Sequence, residues 1–186
     1  MTDQIDLIDE LKWRGLLYQC TDEAALRDHL AGGRRRIYAG FDPTASSLTI
    51  GNLVPMMVLR HVQRAGHEPI VLMGGGTGLI GDPSGKSAER QLMTRETVES
   101  NIVGQRPIFD AILGDSVTVV NNADWLSGLS YLDALRGIGK HFSVNMMMQK
   151  ESVKSRLEDR DHGISYTEFS YMILQAFDFA YLNRAM

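Results

Sequence analysis

Pro69 to Arg90 reads PIVLMGGGTGLIGDPSGKSAER, and the apolar run that opens it decides the fold. An uninterrupted PIVLM, rather than an apolar–polar alternation, is what a strand covered on both faces presents, and such strands lie inside parallel sheets. The run ends in Gly74, Gly75 and Gly76, where the backbone can approach a ligand at the carboxyl end of the strand. Working outward, Arg36 to Phe41 has strand character and Leu53 to Ala65 repeats apolar residues at helical spacing, with Gly66 as its stop. Thr94 opens a helix ending near Gly114, and Val117 to Val120 is a third strand. Strand, helix, strand, helix, strand predicts an α/β fold with a parallel sheet and flanking helices.

The first thirty or so residues read as two short helices, one carrying Ile5, Ile8, Leu11, Leu16 and Leu17, the other capped by Thr21 and stopped by Gly32 and Gly33. From Tyr131 onward only helices are expected: Tyr131 to Ile138, Ser143 to Gln149, Glu151 to Leu157 and Thr167 to Ala180. The predicted organisation is a helical segment over 1–33, an α/β part over 34–125 and a helical section over 126–186. A sheet of three strands leaves an open edge, which natural domains cover.

Hydrophobic residues make up 44% and charged residues 23% of 186, which excludes disordered, collagen-like and coiled-coil classes. The formal net charge of −4 excludes a uniformly basic nucleic-acid binder but leaves room for a local basic patch. No apolar run has the roughly 18 to 20 residues of a membrane span. The acidic start MTDQIDLIDELK lacks the basic and apolar regions of a signal peptide. Cys20 is the only cysteine, so no intramolecular disulfide forms, and no Cys/His cluster has zinc-site spacing. The expectation is a cytoplasmic protein with no resident metal and no membrane partner.

Two famous motifs are nearly matched. Gly76 to Gly81, GTGLIG, satisfies G-x-G-x-x-G after a strand, but Asp82-Pro83-Ser84-Gly85 follows where a pyrophosphate-binding helix should begin. GDPSGKS, Gly81 to Ser87, has three residues between its glycines where a P-loop needs four. A dinucleotide oxidoreductase and a P-loop enzyme are thereby set aside. Asp82 remains a candidate for an ammonium group, and Lys86 with Arg90 for phosphate. Tyr171, Gln175 and Asp178 recur at i, i+4 and i+7, one face of one helix.

Three stretches taken together carry a resemblance: Tyr38 to Asn52 (YAGFDPTASSLTIGN), Gly74 to Arg90, and Lys140 to Asp178, which includes KHFSVNMMMQKESVKSR and ISYTEFSYMILQAFD. They are similar to the amino-terminal half of the bacterial tyrosyl-tRNA synthetases, which are class I aminoacyl-tRNA synthetases. The resemblance implies a Rossmann-like catalytic domain that joins tyrosine to ATP and passes the tyrosyl group to tRNA(Tyr), with Mg2+ accompanying ATP. In such enzymes the amino acid carboxylate attacks the α-phosphorus, so the protein acts by positioning and charge stabilisation. Carried over, Tyr38 and Asp178 would bond the phenol of tyrosine, and Asp82, Tyr171 and Gln175 its ammonium group, with Asn122 supporting the pocket. Gly40 and Asp42 would line the adenylate. Thr44 would meet the terminal phosphates of ATP, and Lys86 and Arg90 would close on pyrophosphate. Lys150, Glu151, Lys154 and Arg156 would lie near the tRNA acceptor arm. A homodimer would form through the helices after Lys140, with Met146, Met147 and Met148 as an adaptable contact.

The sequence departs from the family twice. Thr49-Ile50-Gly51-Asn52 stands where the family has H-I-G-H, so the ATP-side roles fall to Thr49, Gly51 and Asn52, of which Asn52 keeps a side-chain donor. The family also continues past the position of Met186, so the expectation is a fragment, incomplete at its carboxyl end and inactive alone. A second reading is a synthetase-like tyrosine-binding protein without activation chemistry, which an intact tyrosine side beside an altered ATP side allows.

Overall fold

The computed structural model of the chain describes residues 6–82, 92–158 and 163–186. Two compact units emerge, one of Met1–Phe41, Ala45–Met73 and Ser100–Val120, the other of Asp42–Thr44, Gly74–Glu99 and Asn121–Met186.

The first unit is built on the sheet. β1 (Arg36–Phe41) and β2 (Glu68–Met73) run parallel, with Arg36 opposite Glu68 and Phe41 opposite Met73. β3 (Thr118–Asn121) completes the order β1-β2-β3, so β2 is the central strand. Every residue from Pro69 to Met73 is buried, while β1 and β3 are mostly half-buried, which is the contrast that the unbroken apolar run predicts.

α1 (Leu7–Trp13), α2 (Glu23–Ala31), α3 (Ile50–Arg64) and α4 (Arg95–Leu113) are the helices of the amino-terminal part. One core cluster joins Phe41, Val71 and Met73 of the strands to Met56 and Leu59 of α3 and to Phe109 and Leu113 of α4. Phe41 and Phe109 meet edge to face, with centroids 4.9 Å apart. A second cluster joins Leu7, Ile8 and Leu11 of α1 to Leu30 of α2 and to Val62 and Ala65.

The local expectations are corrected at three places. α2 is capped by Asp22 rather than Thr21, the Asp22 carboxylate accepting from Ala25 N at 2.9 Å. A charged acceptor answers the positive end of the helix better than a hydroxyl one residue further out. α1 stops at Trp13 and Gly15 takes φ +68°, so Leu16 and Leu17 reach their cluster from outside the helix. α3 begins three residues before Leu53, because Thr49 and Asn52 close a capping pair ahead of the apolar repeat.

The second unit holds the glycine loop, which makes a single 3-10 turn over Thr77–Leu79, and a run of helices. These are α5 (Ala123–Leu126), α6 (Tyr131–Gly137), α7 (Val144–Met148), α8 (Glu151–Glu158) and α9 (Tyr166–Ala185), with a further 3-10 turn over Gly139–His141. α9 runs five residues past the expected end at Ala180, and α5 has no counterpart among the expected helices. Arg156 of α8 is buried, not on a solvated charged face: its guanidinium grips both oxygens of Glu168 at 3.2 and 3.0 Å, and its Nε donates to Gly163 O at 2.8 Å. It therefore cannot meet a tRNA phosphate, and the basic groups left exposed on that stretch are Lys150 and Lys154. No helix among the described residues is long and apolar enough to cross a membrane.

Candidate functional site

The site grows from two adjacent asparagines. Asn121 ends β3 and Asn122 directly precedes α5, and their side chains dock onto the glycine loop. Asn121 Oδ1 accepts from Gly75 N at 3.1 Å and Ala123 N at 3.0 Å. Asn122 Oδ1 accepts from Gly76 N at 2.8 Å, and its Nδ2 donates to Thr77 Oγ1 and to Asp178 Oδ2, each at 3.0 Å. A Cβ on Gly75 would lie 2.1 Å from Asn121 Oδ1, so this glycine is required by close approach. Positive φ is not the general reason for the loop's glycines: among Gly75, Gly76, Gly78 and Gly81 only Gly81 has it, at +88°.

Asp178 is the centre of the arrangement. It is 3% exposed and accepts a second bond from Trp125 Nε1 at 2.8 Å, while the indole stacks on Tyr181 at 4.3 Å. Burial pushes its carboxyl above the usual carboxylate range, and the Asn122 and Trp125 donors pull it back. The result is a fixed acceptor whose orientation is set from two sides.

Two helical turns earlier, Tyr171 sits buried with its phenol 3.4 Å from the Asp42 carboxylate, a long contact. Burial, then the charges of Asp42 and Asp82, push its phenol far above the usual tyrosine value, against a hydrogen bond from Thr77. Tyr171 thus stays protonated and can donate, beside two carboxylates that favour an approaching cation. Thr77 links the Tyr171 end to the Asn122–Asp178 end, so the network runs continuously through one unit.

The structure brings together Asp42, Asp82, Asn122, Tyr171 and Asp178. Gln175 is exposed and lines a largely apolar groove of about 440 Å³ with Phe142, Met146, Met147, Met172 and Phe179. Tyr38 is half-buried on β1 in the first unit, in register with Ile70. A Cβ on Gly40 would meet nothing within 4 Å, leaving open space there. Thr44 is exposed in a tight turn, its N–H donating to Asp42 O at 2.9 Å. Asn52 Oδ1 accepts from Thr49 N at 2.9 Å and from Thr49 Oγ1 at 2.8 Å, so the two residues that replace the family's histidines cap α3, with Gly51 exposed between them. Lys86 and Arg90 lie outside the described residues. Trp125, Thr77 and Asn121 join the site without a place in the sequence reading; the cue was an indole three residues after Asn122, in NNADW, directly after a strand.

Comparisons with known proteins bear on the family and the fold. The family model described as tRNA synthetases class I (W and Y) matches residues 31–186. The chain belongs to that family. Tyrosine–tRNA ligases of Aliivibrio fischeri (strain MJ11) and Aliivibrio salmonicida (strain LFI1238) are 50% and 51% identical over the whole chain. This class I synthetase chain spans 45% of their length. A C-terminally truncated mitochondrial tyrosyl-tRNA synthetase of Aspergillus nidulans superposes with TM-score 0.82 at 28% identity, over 97% of this chain and 55% of that one. The Coccidioides posadasii counterpart gives 0.81 at 29%, over 99% and 53%.

Proposed function

We propose that this chain is the tyrosine-recognising, amino-terminal part of a tyrosine–tRNA ligase, an enzyme that activates tyrosine with ATP and charges tRNA(Tyr). The observation that carries it is the Asp178 carboxylate, buried and held by Asn122 and Trp125 as an acceptor for a phenol. A site built to bond a hydroxyl strongly rejects the analogue lacking it, and tyrosine against phenylalanine in this enzyme family is the standard illustration of that rule. Asp82 and protonated Tyr171 suit the ammonium group, with Gln175 as a further contact from the groove side. On the ATP side, Asp42 and Gly40 face the adenylate and Thr44 the phosphates. Thr49, Gly51 and Asn52 take the place of the class signature, and Tyr38 adds a phenol contact. Lys86 and Arg90 stabilise the departing pyrophosphate. ATP is the substrate that class I synthetases use, and Mg2+ enters with it.

The acceptor arm of tRNA(Tyr) meets the face of Lys150, Glu151 and Lys154, and the enzyme works in the cytoplasm. A second copy of the chain covers the helices after Lys140, where Met146 is 72% exposed and Val144 and Met148 are also exposed; light scattering of the chain should read two copies.

Calorimetry tests the central claim. Tyrosine should bind the chain, phenylalanine should not, and Asp178→Ala should abolish the discrimination. Equal binding of both amino acids by the unsubstituted chain would sink the reading. The alternative, a tyrosine-binding protein without activation chemistry, is favoured by the Thr49–Asn52 pair, whose side chains are engaged with each other. Tyrosine binding in the absence of any ATP binding would select it.

A further inference from the structure

α4 carries two features that a helix avoids when packing alone decides. Gly104 sits in its interior, where glycine is markedly less favourable than alanine. Gln105 is 1% exposed, and its Oε1 has no hydrogen-bond partner among the described residues. A buried polar atom left unsatisfied is costly, and a methionine of similar length would avoid that cost. Both features point at one loop. Gln105 Nε2 donates to Ala45 O at 2.8 Å. A Cβ on Gly104 would lie 2.6 Å from Ser46 O and 3.3 Å from Ser46 C, a collision with backbone. The orientation of the Gln105 amide is fixed chemically, since a carbonyl only accepts.

The segment so held is Ala45 to Ser47, which follows Thr44 in the chain and precedes the Thr49–Asn52 cap of α3. All three of its residues are exposed, and it is clasped from α4 by one side-chain bond and one missing side chain. We infer that Gln105 and Gly104 are positioning residues that set the backbone of residues 45–47, the chain directly after Thr44, for ATP. The inference rests on the reading of Thr44 as a phosphate contact. Neither residue touches substrate: Gly104 lets the loop approach α4, and Gln105 fixes its height there.

The test uses Gln105→Met, which keeps volume and removes the bond, and Gly104→Ala, which improves helix propensity while displacing Ser46. Four readouts are taken on the chain: hydrogen exchange of the 42–48 peptide, calorimetry with tyrosine, calorimetry with ATP, and the urea midpoint. The expected result is exchange of the peptide about fivefold faster in Gln105→Met, the equivalent of one net hydrogen bond. ATP affinity should fall by about the same factor while tyrosine affinity and the urea midpoint stay unchanged. Unchanged exchange would overturn the inference, because the bond would then hold nothing. Faster exchange with unchanged ATP affinity would also overturn it, leaving Gln105 a packing residue. Absence of ATP binding by the unsubstituted chain would overturn the ATP reading beneath it, and the exchange result would still report on the clasp. Gly104→Ala gives an independent second chance at each outcome, since it acts by displacement rather than by loss of a bond.

Discussion

Asp178 shows how one residue's chemistry is set by two others. Burial at that depth disfavours the charged carboxylate, which is a stronger acceptor for a phenol than the neutral acid. The Trp125 indole and the Asn122 amide counter the burial that raises its pKa. Trp125→Phe keeps an aromatic ring to stack on Tyr181 but removes one donor. Tyrosine should then bind about tenfold more weakly, as expected for losing a hydrogen bond to a charged group worth about 1.5 kcal/mol. The pH profile carries a second signature. On the proposed reading the phenol bonds the Asp178 carboxylate, so affinity should fall as pH drops through the pKa of Asp178, and in Trp125→Phe that fall should begin at higher pH. Calorimetry across pH checks both; an unchanged profile would show that the indole does not act on Asp178.

Among the elements, α9 carries the site and α8 holds it in place. The Arg156–Glu168 pair is nearly inaccessible to solvent, at 2% and 1% side-chain exposure, and joins the two helices close to the first turn of α9. Glu168→Gln leaves a guanidinium buried beside a neutral partner and should cost about 3–5 kcal/mol, whereas Arg156→Met with Glu168→Leu should be nearly neutral, because apolar packing replaces a costly desolvation. Urea unfolding distinguishes the two. α9 also shows what spacing alone conveys. The i, i+4, i+7 pattern places Tyr171 and Asp178 on a common face, and both are buried. Gln175 shares that face by angle but lies exposed at the groove, because what covers a helical face depends on neighbouring elements rather than on the helix.

The stability of the molecule should depend on pH through two histidines of the first unit. His61 on α3 and His67 before β2 are buried, and burial holds both below their ordinary value of 6.5. Arg14 and Arg64 push His61 further down while Glu10, 3.7 Å away, opposes them; Arg35 and His29 act on His67. His67 Nδ1 accepts from Arg35 N at 3.2 Å, which needs the neutral ring. The folded chain therefore takes up protons less readily than the unfolded one. Their contribution to stability is present well above pH 6.5 and is lost as pH falls through 6.5 toward the depressed folded values. Urea unfolding should show stability declining as pH falls through the ordinary histidine value of 6.5, a decline shallower in His61→Leu. A decline of equal steepness would show that His61 does not contribute.

The sequence by itself determined the α/β class, the central strand and the family, because an unbroken apolar run, glycine stops and contiguous motifs are local properties of the chain. Strand β1 was legible residue for residue, and β2 to within one residue, for the same reason. Tertiary structure alone decided why Gly75 is glycine: Asn121, 46 residues away in the chain, presses its amide onto it, and Asn122 docks beside it on Gly76. It likewise turned Arg156 inward and recruited Trp125 to Asp178. These are contacts between segments distant in sequence, fixed by burial and by the need to satisfy buried polar atoms, and no spacing rule along the chain encodes them.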